Sequence, residues 1–150
     1  MKIRNGFVSN SSTSSFMVFG YNVDEMGLDV KDIREYIISK FTPRMLKKYE
    51  GYDKDDDLMW QLWMDFYNRK NPFGLKDIGV VENDGNDYIG VVIVDSYSNN
   101  CALTESRVFG KTLMKKVQRS EKTYLKKIKA FREKLGIIKE PKLLKGVWNW

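Results

Sequence analysis

The chain has 150 residues, of which 42% are hydrophobic and 31% charged, and its formal net charge is +6. One cysteine, Cys101, and no histidine exclude an internal disulfide, a thiolate metal cluster, zincin-type sites and the usual histidine general base. No apolar run approaches the roughly 18 residues that span a bilayer, and no apolar signal core follows Lys2 and Arg4. We therefore expect one cytoplasmic domain with no membrane partner and no bound metal or other cofactor.

A run of small polar side chains lies near the N-terminus between two apolar segments. The flanking residues 2–9 and 15–21 are rich in Phe, Val and Ile, which predicts two strands joined by a polar loop. The loop residues are Ser9, Asn10, Ser11, Ser12, Thr13, Ser14 and Ser15. Successive backbone N–H groups in such a loop can hold a phosphate, but the lysine and glycine pair of a P-loop are missing. A plain connector is the alternative.

A helix is predicted over residues 30–41, with Asp29 as its N-cap. Its apolar side chains recur at helical spacing and share one face. They are Ile33, Tyr36, Ile37 and Phe41. Pro43 ends this helix or begins a second short one over residues 42–49.

An acidic tract precedes a Trp-rich segment that is predicted as a helix over residues 58–68. The tract contains Asp53, Asp55, Asp56 and Asp57. An EF-hand beginning at Asp53 would need glycine and glutamate where the chain has Leu58 and Met64, so these carboxylates are interpreted as helix caps. Magnesium held by two of the aspartates is the alternative, although the sequence shows no second cluster of ligands. The helix is apolar nearly all round, which is typical of a core helix or of a partner-binding helix.

Residues 78–82 and 87–95 are predicted as a β-hairpin, because Asp84-Gly85 between them supplies the positive backbone dihedrals of a tight turn. The second arm is apolar without clean alternation over residues 88–94. That pattern predicts a strand covered on both faces near the middle of a sheet.

One long amphipathic helix is predicted over residues 104–135, with a possible interruption at Gly110 and a stop at Gly136. Its apolar stripe recurs at steps of four and three residues. The stripe positions are Leu113, Val117, Ser120, Tyr124, Ile128, Phe131 and Leu135. From Pro141 the chain is interpreted as a basic tail that ends in Trp148-Asn149-Trp150.

Positive charge is concentrated in the C-terminal third. Residues 111–145 contain thirteen basic and three acidic side chains, a charge of +10, which leaves −4 for the other residues. A row at helical spacing lies beside the apolar stripe and consists of Lys115, Arg119, Lys122, Lys126 and Lys129. Such a row can follow phosphates, with Trp148 or Trp150 as a stacking contact. An acidic protein partner and a merely solvated helix face are the alternatives.

The N-terminal segment carries a resemblance to a known group. Arg4-x-Gly6-Phe7-Val8-Ser9-Asn10 followed by the hydroxyl run and Phe16 is similar to an N-terminal motif of many small uncharacterised proteins of bacteriophages and bacteria. In that group the run is usually all serine, so Thr13 is a departure. The resemblance implies a phage or bacterial cytoplasmic origin and assigns no activity.

Together these patterns predict a single α+β domain over residues 1–150. A mainly antiparallel sheet would be packed by the Trp-rich helix and the basic C-terminal helix. The leading hypothesis is a non-enzymatic phage accessory protein, without catalytic residues, that binds nucleic acid or an acidic protein surface through its basic third. The alternatives are a small nucleotide- or phosphate-binding protein or enzyme that uses residues 9–15, and a structural virion component.

Overall fold

The computed structural model describes residues 13–52, 56–98 and 109–149. In this part of the chain four strands form one antiparallel sheet in the order β2-β3-β1-β4. The strands are β1 (Thr13–Asn22), β2 (Ile78–Asn83), β3 (Asn86–Ser98) and β4 (Lys142–Asn149). The helices are α1 (Ile33–Ser39), α2 (Pro43–Lys47), α3 (Asp56–Tyr67), α4 (Lys111–Arg119) and α5 (Glu121–Leu135). The fold class is α+β, as predicted.

The predicted β-hairpin is confirmed. Asp84 and Gly85 have φ values of +52° and +76°, which are the left-handed dihedrals of a tight turn between antiparallel strands. β3 lies between β2 and β1, and Ile89 and Val91 are buried against the helices. Tyr88 and Val92 pack in a second apolar cluster, so the central strand contributes to both faces.

The predicted N-terminal strand pair is only partly visible. β1 begins at Thr13, two residues earlier than predicted, whereas the predicted strand over residues 2–9 lies outside the described residues. The interpretation of residues after Pro141 as a tail was wrong. This segment forms β4, which pairs with β1 from Gly20 opposite Lys142 to Thr13 opposite Asn149, because Leu143, Leu144 and Val147 find apolar neighbours on the sheet.

β1 and β3 approach each other closely at Gly20 and Gly90, which are paired in the register. A Cβ on Gly20 would lie 2.2 Å from the carbonyl oxygen of Ile89, and a Cβ on Gly90 would lie 2.4 Å from that of Phe19. Gly90 also has φ +154°. Only glycine fits at these two positions, since any side chain would overlap the partner backbone.

The main core lies between one face of the sheet and three helices. Its fully buried helical side chains are Ile37 from α1, Leu62 and Phe66 from α3, and Ile128, Phe131 and Leu135 from α5. On the other face Phe16, Val18 and Val81 form a smaller cluster, in which the Phe16 ring stacks on Tyr88 at 4.3 Å. The Trp-rich helix is therefore a core helix on one side, while its Trp60 is 62% exposed on the other.

The predicted cap of α1 was wrong. The helix begins at Ile33, and the side chain of Asp32 accepts a hydrogen bond of 2.9 Å from the Arg34 backbone N–H. Asp32 has the extended backbone of an N-cap (φ −139°, ψ 121°), so Asp29 lies outside the helix. Partial burial raises the pKa of the Asp32 carboxyl, but the bonds from Arg34 outweigh this effect and leave that pKa below its ordinary value.

The single long C-terminal helix was also wrong within the described residues, because α4 and α5 are separated at Ser120. The Ser120 N–H bonds to the carbonyl oxygens of both Lys116 and Val117 at 3.1 Å, which tightens the turn. α4 packs Val117 with Met17 and Phe109, whereas α5 packs into the main core. The break lets each helix follow its own cluster. α5 ends at Gly136 (φ +67°), as predicted.

We expect Gly90→Ala to lower the free energy of unfolding by about 2–4 kcal/mol, because the new methyl group meets the Phe19 carbonyl. Urea titration followed by tryptophan fluorescence measures the change. Gly51→Ala is the control, since nothing lies within 4 Å of its Cβ position, and it should change stability by less than about 0.5 kcal/mol. Equal effects of the two variants would contradict the close approach of β1 and β3.

Asp32→Ala should destabilise the protein by about 1 kcal/mol through loss of the N-cap, and Asp29→Ala should have almost no effect. The pKa of Asp32 is lowered in the folded state, so its contribution is present above the ordinary pKa of 3.8 and is lost as the pH falls through the folded value. Urea unfolding of both variants at pH 7 and in acid measures this. A larger loss of stability in Asp29→Ala than in Asp32→Ala would identify Asp29 as the N-cap, as the sequence predicted.

Candidate functional site

Five basic side chains follow one another along α4 and α5. They are Lys115, Arg119, Lys122, Lys126 and Lys129, here called the basic row, and all five are exposed. Steps of four, three, four and three residues keep them on one side of the helical path. The carbonyl of Ser120 accepts the Tyr124 N–H at 3.0 Å, so helical bonding resumes directly after the break. At 1.5 Å per residue the row extends over about 21 Å.

The apolar stripe of the same helices fixes the direction in which the basic row points. Val117, Ile128, Phe131 and Leu135 are buried, and Tyr124 is partly buried against Phe19. Burying these side chains against the sheet leaves the remaining sides of α4 and α5 in solvent. The position of the basic row is therefore a consequence of core packing.

Three cations outside the basic row have partners that connect parts of the fold. Lys127 Nζ lies 2.6 Å from Asp77 Oδ2, and Arg69 Nη2 lies 3.0 Å from Asp95 Oδ2. Arg132 bonds to the carbonyl of Ile138. These contacts connect loops and strands to the helices, so these cations contribute to the fold.

The basic row differs from these three cations. Among the residues that the structure describes, Lys115, Arg119, Lys122 and Lys126 have no carboxylate within 4.0 Å. Lys129 lies 4.0 Å from Glu133, and both side chains are at least two-thirds exposed, so solvent screens this contact. The row thus presents five cations whose charge the described part of the fold does not neutralise at short range, apart from the weak Glu133 contact.

The structure does not bring Trp148 together with the basic row. Trp148 of β4 is paired with Ser14 of β1. Along β4, Leu144 and Gly146 pack with the Phe16 cluster on one face of the sheet, whereas Leu143 and Val147 face α4 on the other. Strand alternation places Trp148 on the side of Leu144, away from the helices. The predicted contact at Trp150 lies outside the described residues.

The hydroxyl run is described only from Thr13 onward, and residues 9–12 lie outside the described part. Thr13, Ser14 and Ser15 belong to β1, although the sequence predicted a loop that extended to Ser15. Asn83 Nδ2 donates to Ser14 Oγ at 2.8 Å, and the hydroxyl oxygens of Ser15 and Ser96 lie 2.6 Å apart. These hydroxyls hold strands together.

Ser14 and Trp148 line a cavity of about 520 Å³ whose other walls carry carboxylates. The acidic side chains are Glu82, Asp84 and Asp95. A phosphate entering this cavity would be repelled, because like charges at such distances are unfavourable. The described end of the hydroxyl run therefore gives no support to a phosphate loop.

The acidic tract is also described only in part. α3 begins at Asp56, with Asp57 exposed in its first turn, as expected for carboxylates near a helix N-terminus. The predicted capping residues Asp53 and Asp55 lie outside the described residues. In the described ranges no group of three or more potential ligand side chains is arranged to hold a metal ion.

A polar pocket that the sequence did not predict lies between residues 23–34, α3 and the β2–β3 hairpin, with a volume of about 480 Å³. Asp87 is fixed there by two donors, the Trp63 Nε1–H and the Tyr67 hydroxyl, each at 3.2 Å. Burial and the charges of Asp87 and Glu82 raise the pKa of the Tyr67 hydroxyl, so Tyr67 is a weak acid here. The arrangement anchors α3 on the hairpin and offers no activated nucleophile.

The sequence held a signal for this pocket. Trp63 and Tyr67 are four residues apart on one helix face, and Glu82 is the register partner of Asp87 in the hairpin. What the sequence did not indicate is that this helix face packs against that hairpin.

No protein-family model, curated protein or solved structure matches this chain. In the ranges that the structure describes, no helix has the length and apolar character needed to cross a membrane. Function must therefore be argued from the surfaces of the molecule itself.

Substitution of two neighbouring lysines on α5, Lys126 and Lys127, compares a cation that is unpaired in the described part of the chain with one that forms an ion pair. Lys127→Gln should lower the free energy of unfolding by about 0.2–1 kcal/mol, since it breaks the contact with Asp77. Lys126→Gln removes one charge from the basic row and should leave stability unchanged or slightly higher. Urea unfolding of the two variants measures the difference, and a greater loss at Lys126 would show that the row has a structural role.

Proposed function

We propose that this protein is a non-enzymatic nucleic-acid-binding protein whose basic row contacts the phosphate backbone. The observation that carries the proposal is the exposed row on α4 and α5, whose first four members have no ion-pair partner among the described residues. Cations presented by two helices that are packed on the sheet attract a polyanion, and each contact with a phosphate releases counterions.

The chemistry of the row supports capture of the backbone. Four of its five members are lysines, which act as point charges, and the single Arg119 is the member with a planar fork of donors. Lysine contacts with phosphates position a nucleic acid but carry no sequence information. We therefore expect binding that depends steeply on salt and little on base sequence.

The extended shape of the row also suits a polyanion. Its length of about 21 Å spans several consecutive phosphates, which lie about 3.4 Å apart along each strand of a duplex. A compact anion such as a nucleotide could contact only one or two members of the row. The resemblance of the N-terminal segment to phage and bacterial proteins supports a bacterial cell as the setting.

An acidic protein surface would be attracted by the same five charges. The salt dependence of binding to a defined oligonucleotide separates the two partners, because nucleic acid has a regular charge density that fixes the slope. For five phosphate contacts on a single strand, raising the salt from 50 to 200 mM should weaken binding by about 100-fold.

Removal of four charges from the row tests the proposal. The variant carries Lys115→Gln, Arg119→Gln, Lys122→Gln and Lys126→Gln. We expect much weaker binding to a 20-nucleotide single strand at 50 mM salt, and a loss of less than about 3-fold between 50 and 200 mM because about one contact remains. Fluorescence anisotropy with labelled DNA and RNA measures both quantities.

The matched control removes the same net charge elsewhere. Arg44, Lys47, Lys48 and Lys70 are exposed and lie in α2 and in the loops after α2 and α3. Replacement of these four with Gln should leave most of the affinity and the salt slope intact. Equal losses in the two variants would mean that net charge acts without a defined surface. No binding to DNA or RNA at low salt would contradict the proposal and leave an acidic protein as the partner.

A further inference from the structure

A groove lies beside the basic row, where the α4–α5 junction meets the start of β4. Its cavity has a volume of about 230 Å³, which is smaller than the roughly 300–1,000 Å³ of pockets that hold drug-sized ligands. Gln118 and Glu121 line it from the helices and Lys142 lines it from β4. Arg119 and Lys122 of the basic row directly follow Gln118 and Glu121 in the chain, so the groove opens along the flank of the row.

The floor of the groove is apolar and partly aromatic. Phe19 and Val117 are each 4% exposed, and the rings of Phe19 and Tyr124 lie 5.9 Å apart with an angle of 35° between their planes. A flat ring system can lie against such a floor, because offset and tilted aromatic contacts are favourable. The size and the floor together favour one planar heterocycle.

The rim of the groove offers hydrogen-bonding groups that the described fold does not use. Gln118, Glu121 and Lys142 are exposed, and within the described ranges their side chains make no hydrogen bond or ion pair. A glutamate accepts from the exocyclic amine of cytosine, and a glutamine amide pairs with the donor and acceptor edge of adenine. The Glu121 carboxylate also repels a phosphate, which directs the backbone toward Arg119 and Lys122.

From this arrangement we propose that the polyanion is single-stranded nucleic acid and that the groove holds one unpaired base while the basic row holds the adjoining phosphates. The inference rests on the proposed function and adds the strand type and a base preference. In a duplex the bases are stacked and paired, so their edges cannot enter a groove on the side of a helix. Adenine and cytosine, whose exocyclic amines can donate to Glu121 or Gln118, should be preferred over thymine, which has no exocyclic amine.

The test compares four oligonucleotides of equal length and phosphate number at 50 mM salt. They are oligo-dA, oligo-dC, oligo-dT and an oligomer with abasic sites throughout, each labelled for fluorescence anisotropy. Stacking of one base predicts that the abasic strand binds roughly 5- to 150-fold more weakly than oligo-dA. Oligo-dT should bind with intermediate affinity, since it keeps a ring but lacks the amine. A duplex is measured alongside and should bind more weakly than oligo-dA.

The outcomes separate the two proposals. If the abasic strand or the duplex binds as tightly as oligo-dA, the groove inference is overturned while backbone binding by the basic row stands. If none of these oligomers binds at low salt, the proposed function itself fails.

Two exposed residues, Glu121 on the rim and Lys122 in the basic row, provide variants that should fold normally. Glu121→Gln replaces the acceptor for cytosine with an amide that can also donate to thymine, so the preference for oligo-dC over oligo-dT should largely disappear, whereas oligo-dA keeps its pairing with a glutamine amide. Lys122→Gln is the control and should weaken binding of all four strands, including the abasic one, to a similar extent. If Glu121→Gln instead strengthens binding of every strand equally, its effect is purely electrostatic and the groove does not read the base.

Discussion

The fold depends on the contact between the backbones of β1 and β3 at Gly20 and Gly90. β1 occupies an inner position in the sheet and carries β3 on one side and β4 on the other. Because neither glycine has a side chain, the two strands approach closely enough that any Cβ would overlap the opposite backbone. The residues on either side of this contact, Phe19 and Tyr21 in β1 and Ile89 and Val91 in β3, all enter the main core. The helix-bearing face of the sheet is organised around this point.

The helices then divide their charged residues between two roles. Lys127 and Arg132 contact residues outside α5 and help to hold the surrounding chain, whereas the basic row faces solvent from the same helical path. The anchors of α5 are apolar, and truncation of residues as buried as Phe131 costs about 3–5 kcal/mol. The surface charge can therefore change in evolution or by mutagenesis while the core still fixes the helix.

Local patterns in the sequence predicted the elements whose causes are local. The Asp84-Gly85 turn follows from the dihedral preferences of two residues, and the buried stripe of α5 follows from helical spacing. β4 was missed because Lys142 and Lys145 interrupt a short apolar pattern, and its pairing depends on β1, which is distant in sequence. The break at Ser120 was missed because the apolar residues of α4 and α5 follow one continuous helical spacing in the sequence. In the fold the two helices pack into two separate apolar clusters.

The basic row was predictable from the sequence in its position but not in its contacts. Spacing alone placed the basic row on one helix side, but only the fold shows which cations are occupied in structural pairs. Trp148 could not be assigned to a face without the register of β4. The groove combines Phe19, the α4–α5 junction and the start of β4, and no single segment of the sequence contains a pattern for it.

The pairing of β4 with β1 has a consequence for the rate of folding. Partners in this ladder are more than 120 residues apart in sequence, whereas the β2–β3 hairpin closes through a turn of two residues. Contacts between distant segments slow folding, because the entropy of closing a long loop is lost before the contact is gained. The hairpin can form early because its contacts are local, whereas β4 joins β1 only after the intervening helices have brought the two strands close together. The rate of folding should accordingly be limited by the docking of β4 on β1.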